Sequence, residues 1–543
     1  MKETNETPII EKQEGHSPEG AVQVRSKNAP DGIFRRIFSF PVFLGTLLVA
    51  GVYVAKLGNL YTSSPGSSMF FLENDTWWHL AVAARILKTH TFPTRDIYSF
   101  TALGSPWIDY EWLGDMLLHL FWQLGGLQGL MLFVTVFAGI VMCLVYYYVS
   151  FQSGNSKAAF VACAGLLPLA SLQFTSRPQV LGYALLIATL ICLEKFRQGH
   201  TKALWLLPVI FWLWVNSHGT FVLGFFILGV YWACGLREFH LGRIFAESWT
   251  PGQRRRLELA FLLCLLASIL TPYGTQLAGY PLEMFSSQHQ IMQAIQEWQP
   301  LELSQIYGKL FLVLLVLFGI GLATTDLKFR LDDMLLLAFA TVETFMHARF
   351  VILFVPAFAP HMAKMLAIWI PGYDRVKDHP LLNFALITLA AIGIGTSLPS
   401  NTKLRAQLEY HVPTQAVLFL KGHPKLTRVF NDANWGPYML YALGPSHKVF
   451  IDGRYDIYEY SGVLQDYLSI IHATPDTPFL LNKYGVNSCL VPLESSLATL
   501  LTATPGWKPI YHDNLSVLFY HGTETSIGEL TSNTKSAAAA TTP

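Results

Sequence analysis

Charge is scarce in this sequence. Only 13% of its 543 residues are Asp, Glu, Lys or Arg, against 52% hydrophobic, and the mean hydropathy is +0.37. That excludes an ordinary soluble enzyme and points to a polytopic membrane protein. The formal net charge is +1, so nothing suggests a nucleic-acid partner. Cysteine is scarce too. Cys143, Cys163, Cys192, Cys234 and Cys264 fall in or beside apolar runs, and Cys489 stands alone. No pair has metal-ligand spacing and no disulfide framework is visible, so small buried hydrophobes are the simpler reading. No internal repeat stands out, which weakens a transporter built from inverted halves.

Aromatics and long apolar runs are abundant, with 14 Trp, 23 Tyr and 37 Phe. Arg25, Lys27, Arg35 and Arg36 precede the first apolar run, 38–54, which reads as a signal anchor with its basic flank in the cytoplasm. Residues 58–112 then form a large external loop, and 112–124, too short to span, reads as an interfacial helix. Spans follow at 127–149, 158–174, 180–193, 204–215, 221–234, 259–270 and 310–322, with the basic loop 237–256 inside. At "MHAR", 334–345 and 350–359 are two short helices or one kinked helix; two crossings keep Arg375 and Lys377 inside and are preferred, and 381–394 leads outward again.

The expected fold is therefore a polytopic all-α membrane domain of about 11 transmembrane helices, each needing roughly 20 residues, with a small C-terminal extracytoplasmic α/β domain. Residues 1–37 form a cytoplasmic polar tail, 38–398 the membrane domain, 399–525 the periplasmic domain and 526–543 a disordered end. Short apolar segments such as "AVLFL", "HKVFI", "SCLVPL" and "LSVLFY", separated by Gly, Pro and Asn, carry the α/β reading.

On this topology the polar motifs gather on one face. "ENDTWWH" places Glu73 and Asp75 beside Trp77, Trp78 and His79. A carboxylate there can accept a proton from a sugar hydroxyl, and tryptophan offers a flat face to a sugar ring. The alternative is that Asp75 caps the helix that follows it. Asp96 in "FPTRDIYSF" is either a turn residue or a reactive acid. Glu111 follows in "WIDYEWLGD", where oxygen ligands leave a divalent ion, Mg²⁺ or Mn²⁺ at Asp96 and Glu111, an open matter. No cofactor is otherwise required.

Arg177 in "SRPQ" and Arg349 in "MHARF" interrupt apolar sequence, with His218, His347 and Glu297 at neighbouring external ends. Guanidinium suits a phosphate, and snorkelling to headgroups is the competing role. In the tail domain, "NWGPY" and "DGRYD" contribute Trp435, Asp452 and Arg454, which either line an acceptor site or pack locally.

The order of these motifs resembles the GT-C superfamily of integral membrane glycosyltransferases, in particular bacterial relatives of the polyprenyl-phosphate-mannose-dependent mannosyltransferases. "ENDTWWHLAVAARIL", "PWIDYEWLGDMLLH", "SRPQ", "WVNSHGTFVLG", "TPYG", "QEWQP" and "MHARF" carry the likeness, over most of 38–525. It implies transfer, often inverting, from a polyprenyl-phosphate-linked sugar to a glycan, lipid or protein acceptor at the periplasmic face of a bacterial inner membrane. It also implies that Asp75 is the catalytic position, with Glu73, Asp96 and Glu111 as the accompanying acids. Arg177, Arg349, His218, His347, Trp77, Trp78, His79 and Glu297 are then the expected donor-binding set. No second acid adjoins Asp75, only Glu73 two positions before it. A transporter or a non-catalytic scaffold of an envelope-glycan assembly is the alternative.

Overall fold

The computed structural model describes residues 32–62, 73–287 and 296–522. The expected polar tail up to residue 31, part of the first external loop and the expected disordered end lie outside these residues.

Long apolar helices dominate, because residues with little charge to hydrate satisfy their backbone internally. Among the described residues six stretches are long and apolar enough to cross a membrane. They lie in Phe40–Thr62, Leu127–Ser153, Gln179–Arg197, Ile306–Thr324, Ala348–Leu366 and Pro380–Ser397. Ser156–Ser171, Thr201–Val215 and Phe221–Cys234 are shorter apolar helices, so length alone does not reach the eleven expected crossings. Pro380–Ser397 turns almost all of its surface outward, with Leu381, Leu389 and Ile392 more than half exposed. Such a surface is stable against lipid and not against water. The protein is a multi-pass membrane protein.

The helix Trp112–Gly125 is short and ends at Gly126, whose φ of 57° turns the chain into Leu127–Ser153. "MHAR" breaks the chain as read. Leu331–Met346 ends at an extended His347, a 3₁₀ turn covers Ala348–Phe350, and Val351–Leu366 follows.

Three segments differ from expectation. Arg254–Arg256 are helical, not looped, because Thr250 and Gln253 form a reciprocal capping box and Pro251 opens Pro251–Ala267 well before the apolar run. Thr275–Ser287, taken as loop, is a helix. "AVLFL" lies in the helix Thr414–Gly422, where Val417 and Leu420 are buried and Leu418 is exposed, a helical rather than an alternating pattern.

The C-terminal part carries a four-stranded sheet. Val429–Asn431 runs parallel to Ser488–Pro492, which pairs antiparallel with Ser516–His521, itself antiparallel to Trp507–His512. Phe430 faces Cys489, and Cys489 faces Phe519 across the ladder. "HKVFI" forms no strand there. Val449 instead bridges to Ser99 of the first external loop.

That loop is part of the C-terminal core. Trp78, Val82, Ala102 and Trp107 are buried in one cluster with Phe430, Phe450 and Tyr467. Trp77 lies in the membrane-side cluster and packs edge-on against Tyr438, centroids 5.0 Å apart. The loop is thus wedged between two cores.

At the far end of the same helices lies a second polar centre. Arg197 pairs with Asp332 at 2.5 Å, Arg330 with Glu194 at 3.0 Å, and Arg197 stacks 4.0 Å over Tyr231. Helix ends that meet in space form this partly buried network.

Candidate active site

A cavity of about 1370 Å³ opens where the helix ends, the loop that was expected to be external and the C-terminal part meet. It is built from ends rather than from one segment. Asp75 precedes Thr76–Thr89, Arg177 sits in the turn before Gln179–Arg197, Glu297 lies in a 3₁₀ turn, and Arg349 in another.

Asp75 holds the N-cap position but makes no side-chain capping bond. Its Oδ2 lies 3.0 Å from Arg177 Nη2. Arg177 Nη1 donates to Glu297 Oε1 at 2.9 Å. Arg177 therefore holds two carboxylates of the cavity and is not spread toward headgroups. Burial pushes the Asp75 carboxyl up to about 6, with Arg177 opposing. Glu73 is pushed to about 7 by burial, again against Arg177. Burial raises Glu297 as well, but Arg177 and Arg349 outweigh it and hold that group below the usual carboxylate range.

Arg349 lines the cavity with its guanidinium 4.2 Å over the Trp298 ring. No ion pair to it is recorded among the described residues. A planar cation stacked on an aromatic, with its edge free for acceptors, is a fitting partner for an oxyanion. His347 sits outside the cavity lining, its ring Nδ1 2.7 Å from the Trp298 carbonyl oxygen, and so steadies the ring on which Arg349 rests.

Behind Asp75 lies a second group. His79 Nδ1 is 2.7 Å from Asp115 Oδ1, His79 Nε2 is 3.6 Å from Glu111 Oε2, and His218 Nε2 is 3.3 Å from Glu111 Oε1. Ligand atoms of His79, Glu111 and Asp115 all lie within 4.8 Å of one another, and all three residues are buried. His79 Nε2 and Asp115 Oδ2 are buried without hydrogen-bond partners, and one nitrogen with two carboxylates suits a divalent cation. Burial drives both imidazoles well below their ordinary value and lifts Glu111 to about 8.

The expected residues thus divide. Glu73, Asp75, Trp78, Glu111, Arg177, His218, Glu297, Arg349 and Arg454 line the cavity. Asp96 does not. It is fully buried, accepts from the Ser99 hydroxyl at 2.6 Å and pairs with Arg454 Nη1 at 2.9 Å. The expected ion pair of ligands, Asp96 with Glu111, is corrected accordingly, since Glu111 clusters with His79 and Asp115. Trp77 and Trp435 are core residues, 2% and 5% exposed, and Asp452 is buried against Arg454 and Tyr458.

Other cavity residues escaped the reading from sequence. Tyr280 stacks on Tyr110 at 4.6 Å and donates to Asp456 at 2.9 Å. It sits on the helix that was taken for loop, so no periodic signal was sought there. Asp115, which lies outside the cavity lining, was visible as an acid beside Glu111, but only its 2.7 Å approach to His79 marks it out.

No family model matches the sequence, and no curated protein does. Among solved structures, the chain resembles the oligosaccharyltransferase of Archaeoglobus fulgidus crystallised with a tethered acceptor peptide. The TM-score is 0.51 at 11% identity, over 88% of this chain and 74% of that one. ArnT from Cupriavidus metallidurans bound to undecaprenyl phosphate gives 0.46 at 12%, over 88% and 98% of the two chains. The mycobacterial arabinofuranosyltransferase AftD gives 0.49 at 15%, over 90% and 42%. At these identities the archaeal likeness is one of fold: the chain shares the helical architecture of a membrane oligosaccharyltransferase.

Proposed function

We propose that the protein is a membrane glycosyltransferase that moves a sugar from a polyprenyl-phosphate-linked donor to a hydroxyl of a glycan, lipid or protein acceptor at the periplasmic face. The observation that carries this reading is the juxtaposition, in one cavity, of an arginine-held carboxylate and a second arginine that forms no ion pair among the described residues. The fold shared with an oligosaccharyltransferase supports it.

Asp75 takes the proton of the acceptor hydroxyl. The oxygen attacks the anomeric carbon as the bond to phosphate breaks, and the electron pair leaves on the polyprenyl phosphate with inversion at carbon. Arg349 offers its fork to the phosphate oxygens as their charge grows. Arg177, expected to hold phosphate, keeps Asp75 ionised and in place through the 3.0 Å pair. Trp78 and Tyr110 give the sugar apolar faces. A divalent cation held by His79, Glu111 and Asp115 would offset carboxylate charge beside the cavity.

Asp75→Asn keeps volume and removes the base. Turnover should fall roughly 100-fold or more, the scale of a positioned proton acceptor, while the purified protein still binds polyprenyl phosphate. Transfer at the wild-type rate, with a donor and acceptor that the wild type demonstrably uses, would sink the assignment.

A further inference from the structure

We infer that the C-terminal part completes the catalytic centre, with Gly453 positioning Asp75 through direct backbone contact; the inference rests on the reading of Asp75 as the base. A Cβ placed on Gly453 would lie 1.8 Å from Asp75 Oδ1, 2.8 Å from its Cγ and 3.2 Å from Trp78 Nε1. No side chain fits there unless Asp75 moves. Asp75 is thus confined on two sides, by Arg177 from the membrane helices and by the Gly453 backbone from a segment nearly 380 residues further along the chain.

Contact alone would be loose if the segment could drift. It is pinned on both flanks. Arg454 reaches Asp452 through Nε and Nη2 at 2.9 and 2.7 Å, and Nη1 lies 2.9 Å from Asp96. The guanidinium sits 4.7 Å over Trp107, and Asp452 also accepts from Tyr458 at 2.8 Å. Asp96, Asp452 and Arg454 are each 3% exposed or less. Upstream, Phe100 N donates to Val449 O and Val449 N to Tyr98 O, at 3.0 and 3.1 Å. The loop that carries Asp75's helix and the segment that carries Gly453 therefore move as one piece. Asp96 and Arg454, both singled out in the sequence, acquire here a role that touches neither sugar nor phosphate. They are positioning residues.

Catalysis by a held carboxylate is sensitive to small displacements, about 1 Å costing on the order of 100-fold. Gly453→Ala in the full-length protein should therefore lower kcat roughly 100-fold while the KM for the polyprenyl-phosphate sugar stays within about threefold. Gly422→Ala, at a glycine whose Cβ would meet nothing within 4 Å, serves as the control and should leave both unchanged. In an Asp75→Asn background, Gly453→Ala should add no further loss, because both act through one group. Full turnover by Gly453→Ala, or losses that multiply in the double variant, overturns the inference. If Gly453→Ala does not accumulate, Asp96→Asn, which keeps volume and frees the Arg454 clamp, must reproduce the fall in kcat at constant KM.

A second arm needs no substrate. The 2.8 Å from the Gly453 Cβ position to Asp75 Cγ matches the span between a Cβ and the partner sulfur of a disulfide. Asp75→Cys with Gly453→Cys should cross-link on mild oxidation, and absence of the cross-link counts against the contact. If Asp75→Asn alone retains full turnover while the cross-link forms, the base assignment has failed and the geometry stands.

Discussion

Arg349 is the residue on which the phosphate assignment turns. Its fork rests on Trp298 at 4.2 Å and forms no ion pair among the described residues. Arg349→Lys retains the charge and loses the paired donors and the stacking. A hydrogen bond to a charged group is worth about 1.5–3 kcal/mol, so kcat/KM for the lipid-linked donor should drop about 10- to 160-fold, read from steady-state kinetics. A second residue-scale expectation concerns protons. Burial pushes Asp75 up to about 6 against the pull of Arg177. The base works only when ionised, so activity should be lost as pH falls through that value. Its ionised share drops from about nine-tenths at pH 7 to about one-tenth at pH 5. A flat rate between pH 7 and pH 5 contradicts the role. The sequence brought Asp75 and Arg349 to notice as charges in apolar surroundings. It left helix capping as an equal role for Asp75, and the absent capping bond and the Arg177 pair speak against capping.

Among the elements, the helix Trp112–Gly125 matters most, because it carries Asp115 and packs on the turn that aims Arg177. Gly114 makes that approach. A Cβ there would lie 2.5 Å from Pro178 Cβ and 3.2 Å from Ser217 O. Gly114→Ala should destabilise the detergent-purified protein by about 1–3 kcal/mol, the usual cost of overpacking, seen as a lower midpoint in thermal unfolding. An unchanged midpoint would mean that the turn and the helix can part without cost. The helix was legible from its apolar period and its Gly pair. Pro251–Ala267 was misjudged at its start, which a capping box and a proline set, and Thr275–Ser287 was missed because no long apolar run announced it.

At the scale of the whole molecule, the same helices present different chemistry at their two ends. Gln179–Arg197 follows Arg177 at one end and finishes in the Arg197–Asp332 pair at the other. Its 19 residues span about 28 Å, close to the roughly 30 Å of a bilayer core. The two polar centres therefore belong on opposite sides, and the excess of Lys and Arg at the Arg197 end predicts that the cavity faces outward. Single cysteines test the orientation. One at Ser461 should react with an impermeant maleimide in intact cells, and one at Gly252 only after permeabilisation; the reverse pattern would put the cavity in the cytoplasm.

Apolar run length and charge distribution are local properties, and from them the sequence by itself determined a multi-pass helical protein and the helix ends on which ionisable residues collect; the break at "MHAR" was settled only by the structure. Partners are not local. Asp75 could meet Arg177 and Gly453, and Asp96 could be withdrawn to Arg454, only once segments more than 100 residues apart had packed. Periodicity shows which face of an element is buried but not which distant backbone lies against it. The tertiary structure alone decided which carboxylate is left facing the cavity and which is consumed in holding it together.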